Sequence, residues 1–156
     1  MHAPFIRQLT EEVIEPTLRQ LELFSPEAMA LVLGTGMVES QYQYIYQVPS
    51  GPALGFWQME PDTHEDIWRN WINFRPGFRD LLENVCHLAP ESIHSSEMMI
   101  WNLKYACAMA RIHYRRVPEP IPLDLAGQAH YWKEYYNTHL GKGTVTKYLE
   151  AWRSVG

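Results

Sequence analysis

Apolar residues recur at three- and four-residue spacing over most of the chain, a pattern that predicts a mainly helical protein. In the N-terminal stretch Ile14, Leu18 and Leu21 form one such stripe, and Pro16 inside it predicts a kink or a break, because proline has no N–H to donate to the preceding turn. Ser25-Pro26-Glu27 has the form of a helix start, with a hydroxyl cap followed by proline at the first helical position. Met29, Val32, Leu33 and Met37 carry that stripe to an end near Glu39 and Ser40. Gly34 and Gly36 weaken its last turns, which raises the question of what requires small residues there. From Gln41 to Val48 the period changes to two, Gln-Tyr-Gln-Tyr-Ile-Tyr-Gln-Val, which predicts a strand with Tyr42, Tyr44 and Tyr46 on one face. Pro49-Ser50-Gly51-Pro52 then predicts a turn and Leu54 to Met59 a returning strand, hence a small β-hairpin in an otherwise helical chain, α+β overall.

Beyond the hairpin, Asp62 and Glu65 have the spacing of a capping box for a helix running through Trp68 and Ile72. Arg75-Pro76-Gly77 breaks it, and Phe78, Leu81, Leu82 and Val85 predict another short helix. Ser95 or Ser96 caps the longest periodic segment, with Met99, Leu103, Ala106, Met109 and Ala110 on one face and an end near Arg116; it is the most buried-looking helix of the chain. A proline-rich connector, 117–122, leads to two last helices, Leu125 to Tyr136 and Val145 to Trp152, joined by a turn containing Gly141 and Gly143. No internal repeat interrupts this order, and 156 residues are expected to form one domain spanning 1–156.

Composition narrows the function classes. The 46% hydrophobic content excludes a disordered or fibrous chain. Eighteen acids against 13 bases argue against nucleic acid as the partner, and Arg111, His113, Arg115 and Arg116 read as a solvated helix end. No run approaches the roughly 18 to 20 apolar residues of a membrane span. The first residues lack the basic and apolar regions of a signal peptide, so something else is expected to carry the protein if it works outside the cytoplasm. Cys86 and Cys107 are expected to be free, buried thiols. The seven histidines show no His-x-x-x-His pair, and no metal or cofactor is implied. Six Trp, nine Tyr and five Phe are the unusual feature, since many lie beside polar residues, where rings suit either a core edge or a groove that stacks on a sugar or a base.

The chemistry is concentrated at Glu39. A Glu at the end of an apolar helix, facing a hairpin, is a carboxyl held partly out of water, and desolvation raises its pKa toward the range a general acid needs. Gly55, in the facing segment, would let backbone approach a ligand closely.

These residues resemble the lysozyme-like superfamily, specifically soluble lytic transglycosylases and goose-type lysozymes, in the phage-encoded form. The family's helix-end Glu-Ser is matched by Glu39-Ser40, and its Gly-Ala-x-Gly-Leu-Met-Gln block, followed by Pro and Thr, by Ala53, Gly55, Gln58, Pro61 and Thr63. Pro52 stands where the family has its first Gly, and Phe56-Trp57 replace Leu-Met. A third block, Tyr-Asn then Gly and Val, is similar to Tyr136-Asn137 through Gly141 to Val145, with extra residues before Gly141. The matches cover 38–63 and 136–145, and Thr63 to Ser95 departs from the family pattern. The resemblance to phage-encoded versions, together with the lack of a signal peptide, implies a virion or the host cytoplasm before release as the location, with action in the periplasm or cell wall.

The resemblance implies a lysozyme-like helical fold that binds the peptidoglycan glycan strand and cleaves its MurNAc-GlcNAc bond. Glu39 would be the general acid, Ser40 and Gln58 would line the site, and Tyr136 would orient the carboxyl or the substrate. Tyr44, Tyr46, Gly55, Trp57 and Asn137 complete the expected substrate-binding set, with core packing as the other reading of the rings. One Glu acting as acid and then base, while the substrate's 6-hydroxyl closes an anhydro ring, is the mechanism of lytic transglycosylases; Glu60, Asp62 and Asp66 are the candidates for a second carboxylate in a hydrolase. The alternative function is a non-catalytic lysozyme-like module that binds glycan or phage structural proteins in a particle. A net charge of -5 gives little attraction to an anionic wall, so delivery by a particle or partner is expected.

Overall fold

The computed structural model describes residues 3–90, 92–137 and 141–154, and it is mainly helical, with 64% in helices. At the N-terminus α1 (Ala3–Leu9) runs through a π-helical turn, Thr10–Ile14, into α2 (Glu15–Gln20). Pro16 accounts for the wide turn. It lacks an N–H and its ring crowds the carbonyl four residues back, and the π turn accommodates both without ending the helix.

Ser25 accepts a hydrogen bond from the Ala28 N–H at 3.0 Å and opens α3 (Pro26–Glu39), as its sequence predicts. This helix is apolar on most of its circumference and sits centrally, touching three later helices and the π turn. The two glycines answer to packing: a Cβ at Gly34 would strike the Tyr148 hydroxyl and the Trp152 indole nitrogen, and one at Gly36 would strike the Tyr42 ring.

After the loop that follows α3 come α4 (Pro61–Asn70), a 3-10 turn, Ile72–Phe74, and α5 (Pro76–Val85). The predicted capping box is not formed. Glu60 is the extended residue before α4 and its side chain makes no cap, while Asp62 lies one step too far inside, in the first turn, where a negative charge suits the helix dipole.

The long helix predicted from Ser95 or Ser96 is two helices, α6 (Met98–Trp101) and α7 (Leu103–Arg115). Asn102 divides them by taking an extended conformation and capping α7: its Oδ1 accepts from the Tyr105 N–H at 3.0 Å and its Nδ2 donates to the Cys86 carbonyl at 2.9 Å. Nine of the thirteen residues of α7 are buried, in keeping with its apolar face. Cys86 and Cys107 are both free and buried, and burial pushes the Cys86 thiol up to about 12. The cationic end of α7 is fully solvated only at Arg115, with His113 and Arg116 half-buried. Arg111 is buried with its Nε on the Leu23 carbonyl, and Arg116 pairs with Asp66 of α4 at 2.8 Å.

The chain closes with α8 (Leu125–Trp132), a second π turn, Lys133–Asn137, and α9 (Val145–Arg153), whose cap Thr144 accepts from the Lys147 N–H at 3.1 Å. Among the described residues no helix is long and apolar enough to cross a membrane.

The predicted hairpin is replaced by two isolated antiparallel bridges, Tyr46 with Leu54 and Leu54 with Met59. No sheet forms because left-handed residues interrupt the extended backbone: Gln41 and Tyr42 at φ 54°, Gly55 at 76° and Gln58 at 49°. Tyr42, Tyr44 and Tyr46 consequently do not share a face. Tyr42 is buried with its hydroxyl on the Leu33 carbonyl at 2.8 Å, Tyr44 is half-buried, and Tyr46 is 59% exposed.

Candidate active site

Glu39 is the last residue of α3, and the way the helix stops decides where its carboxyl goes. Ser40 terminates the helix with its own hydroxyl, which donates to the Gly36 carbonyl at 3.3 Å and accepts from the Tyr42 N–H at 3.1 Å. The left-handed pair Gln41 and Tyr42 then reverses the chain. Glu39 is left half-buried at a cleft of about 780 Å³, against about 300 Å³ for the pocket beside His64 and Trp68.

Two neutral donors face the carboxyl. The Trp132 indole N–H donates to Oε2 at 3.0 Å, and the Asn137 side chain also hydrogen-bonds it. Among the described residues no cation stands within ion-pair distance of Glu39. Burial therefore dominates and pushes its pKa from 4.5 to about 7, against the pull of both donors. A carboxyl of this kind still holds its proton near neutrality and has partners ready for its charged form, which is what a group that gives a proton and takes one back requires.

The structure brings five of the expected site residues together. Glu39, Tyr44, Gln58, Tyr136 and Asn137 all line the cleft. Tyr44 donates its hydroxyl to the Glu39 carbonyl at 2.9 Å, and Gln58 folds its amide onto the Gly55 carbonyl at 2.8 Å. Tyr136 does not reach the carboxyl. Its hydroxyl donates to the Trp57 carbonyl at 2.6 Å, tying the second π turn to the 55–58 turn and forming part of the cleft, while its ring packs on His113 at 5.0 Å. Asn137 is held from behind by Lys133, whose Nζ donates to Oδ1 at 2.9 Å.

Four expected residues belong elsewhere. Ser40 is buried and used up as the helix stop. Trp57 is 1% exposed, with its indole N–H on the Val32 carbonyl at 2.9 Å, and so serves the core. Gly55 is required by its φ of 76° and by the Met99 carbonyl oxygen, which would lie 2.5 Å from a Cβ; the close approach is to α6 and not to a ligand. Tyr46 projects into solvent and is not part of the cleft lining. Within the third block, Thr138, His139 and Leu140 lie outside the described residues.

Trp132 is the principal residue missing from the sequence reading. Its place four and five positions before Tyr136 and Asn137 puts the three on one side of a helix that widens into a π turn, a spacing that was available in the sequence. Of the candidate second acids, Glu60 lines the cleft, whereas Asp62 and Asp66 do not. Asp66 is engaged by Arg116 and Asn70, and these bonds hold its carboxyl below the usual range.

A second buried carboxyl lies away from the cleft. Glu83 of α5 contacts His94 Nε2 at 2.8 Å and Arg79 Nε at 3.4 Å, beside Trp68, which donates to the Tyr105 hydroxyl at 2.8 Å. His64 contacts the same hydroxyl at 2.5 Å, and burial pushes its imidazole down to about 4. Among the described residues no group of three or more His, Cys, Asp or Glu side chains is arranged to hold a metal ion. Comparison with known protein families, curated proteins and solved structures finds no match to this chain.

Proposed function

We propose that the protein cleaves the glycan strand of peptidoglycan at the MurNAc-GlcNAc bond, as a lysozyme-like lytic transglycosylase with Glu39 as its only acid and base. The observation that carries this reading is a carboxyl at a helix end, open to a large polar cleft, with its pKa pushed up to about 7 and no cation among the described residues paired to it. The order of parts around it supports the same reading: an apolar helix ending in Glu-Ser, a short doubly bridged segment, and a later turn that returns an aromatic and an amide to the carboxyl.

In the first step protonated Glu39 gives its proton to the glycosidic oxygen as the C1–O bond breaks, and the leaving sugar departs as an alcohol. The Glu39 carboxylate, now stabilised by the Trp132 N–H and the Asn137 amide, takes the proton of the muramic acid 6-hydroxyl as that oxygen bonds to C1 and closes the anhydro ring. Glu60 is the one residue that offers a hydrolytic variant, in which water replaces the 6-hydroxyl.

The test is incubation with purified sacculi and mass analysis of what is released. Anhydro-muropeptides are expected from the wild type and a loss on the order of 10³-fold from Glu39→Gln, the scale of a general acid-base contribution. Reducing ends would move the reading to hydrolysis through Glu60. No release at any pH from 4 to 8 would sink the enzyme and leave a glycan-binding or particle-structural module.

A further inference from the structure

The end of α7 is wired to the turn that serves Glu39. Arg116 Nη1 donates to the Asp66 carboxylate of α4 at 2.8 Å, and its Nη2 donates to His113 Nδ1 at 3.0 Å. A guanidinium has N–H donors and no acceptor, so His113 Nδ1 must be the accepting nitrogen and the ring proton sits on Nε2. That proton serves the other bond of the ring, to the Tyr135 backbone carbonyl in the middle of the second π turn. Burial and the adjacent guanidinium push the imidazole down to about 4, against the pull of Asp66 and of the Tyr135 bond, so the ring is neutral where Glu39 changes charge. The same ring meets Tyr136 edge-on at 5.0 Å, and the Tyr136 hydroxyl is in turn tied to the Trp57 carbonyl. A π turn departs from the α-helical bonding pattern, and an outside donor to one of its carbonyls fixes where it stands. The turn held in this way carries both donors of the acid: Trp132 is the residue just before it and Asn137 is its last. Trp132 has an anchor of its own in the Tyr148 ring at 5.5 Å, whereas Asn137 depends on the turn and on Lys133 within it. His113 itself does not line the cleft.

We propose that His113 is a positioning residue for Glu39: Asp66, Arg116 and His113 form a chain of hydrogen bonds from α4 through α7 that holds the second π turn, and with it the Asn137 amide, against the carboxyl. A side chain that must meet a reacting group within a fraction of an ångström needs such support from behind, and here it comes from two helices that contribute nothing to the cleft itself at these positions. The consequence for turnover rests on the proposed glycan-cleaving function; the chain of bonds and its effect on the Glu39 carboxyl do not require it.

The test reads the chain of bonds separately from the chemistry. NMR of the labelled ring nitrogens gives the His113 tautomer, and NMR of the labelled carboxyl carbon gives the Glu39 titration midpoint with no substrate present. The wild-type ring is expected to carry its proton on Nε2 and to stay neutral from pH 5 to 8. His113→Phe keeps a flat ring against Tyr136 and removes both hydrogen bonds. It is expected to raise the Glu39 midpoint by about half a pH unit, the scale of one lost neutral hydrogen bond, and to lower kcat on sacculi about tenfold with KM kept. His113→Gln, whose amide offers an acceptor to Arg116 and a donor to Tyr135, is expected to restore most of both. Asp66→Ala, at a position whose side chain is 49% exposed, releases Arg116 and is expected to move the midpoint the same way by less; it carries the test if His113→Phe does not fold. A midpoint unchanged in the folded variants, a ring proton on Nδ1, or a charged ring at pH 7 overturns the proposal. So does a fall in kcat with an unmoved midpoint, which marks a purely structural role. If the midpoint shifts as expected while the wild type releases nothing from sacculi, the enzymatic reading fails and the positioning role stands.

Discussion

Glu39 and Glu83 are both carboxyls drawn toward the interior, and the protein surrounds them with opposite partners. Glu83, 3% exposed, is given a guanidinium and an imidazole, so its charge is matched within α5 and the segment that follows it. Glu39 receives only an indole N–H and an amide, with no cation among the described residues at ion-pair distance. A buried carboxylate held by a guanidinium and an imidazole is a structural tie, and removing it strands the partners. A buried carboxyl with neutral donors stays poised between two protonation states. The same side chain is thus a structural tie in one place and a carboxyl poised near neutrality in the other, and the neighbours decide which.

The contrast is broken most strongly at Glu83. Glu83→Ala is expected to destabilise the fold by about 3 kcal/mol, because Arg79 and His94 lose their partner in a buried setting; equilibrium denaturation in urea measures it. Glu39→Gln should go the other way. The native protein retains the Glu39 proton up to about 7, whereas the unfolded chain releases it near 4.5. Wild-type stability therefore falls as pH rises through that window, and the substitution is expected to add about 3 kcal/mol at pH 8 and nothing at pH 4. Denaturation curves at the two pH values check both the sign and the size. A substitution that stabilises the fold and removes activity separates a functional carboxyl from a structural one.

Trp132→Phe sharpens the role of the neutral donors. The indole bond pulls the Glu39 pKa down, so losing it should move the alkaline limb of the pH–rate profile upward by about one pH unit, with Glu39 still able to act. Ser40→Ala has the smallest effect. It removes a helix-stop hydroxyl and is expected to cost about 1 kcal/mol by thermal melting, with cleavage of sacculi at the wild-type rate, since the hydroxyl is turned inward to Gly36 and Tyr42. A large activity loss in that variant would return Ser40 to the site.

The helices were readable where their signals are local. Ser25-Pro26 and the stripe through Met37 define α3, and Pro76 marks the start of α5, because caps, prolines and periodicity act within a few residues. The errors fall where a residue answers to something distant. Asn102 splits a continuous apolar stripe because its amide reaches Cys86, sixteen residues away. The tyrosine alternation of 41–48 has the period of a strand, yet Tyr42 turns into the core to bond Leu33 and the backbone is left-handed at its start.

The sequence by itself determined that the protein is mainly helical and that an apolar helix delivers Glu39 to its end. Only the tertiary structure decided which of the neighbouring residues face the carboxyl. Ser40 and Trp57 are adjacent to site residues in the chain and point into the core, whereas Trp132, 93 residues from Glu39, is its hydrogen-bond partner. The physical reason is that helix formation depends on near neighbours, while the desolvation that pushes Glu39 up to about 7 comes from packing elements that meet only when α3 and the second π turn come together.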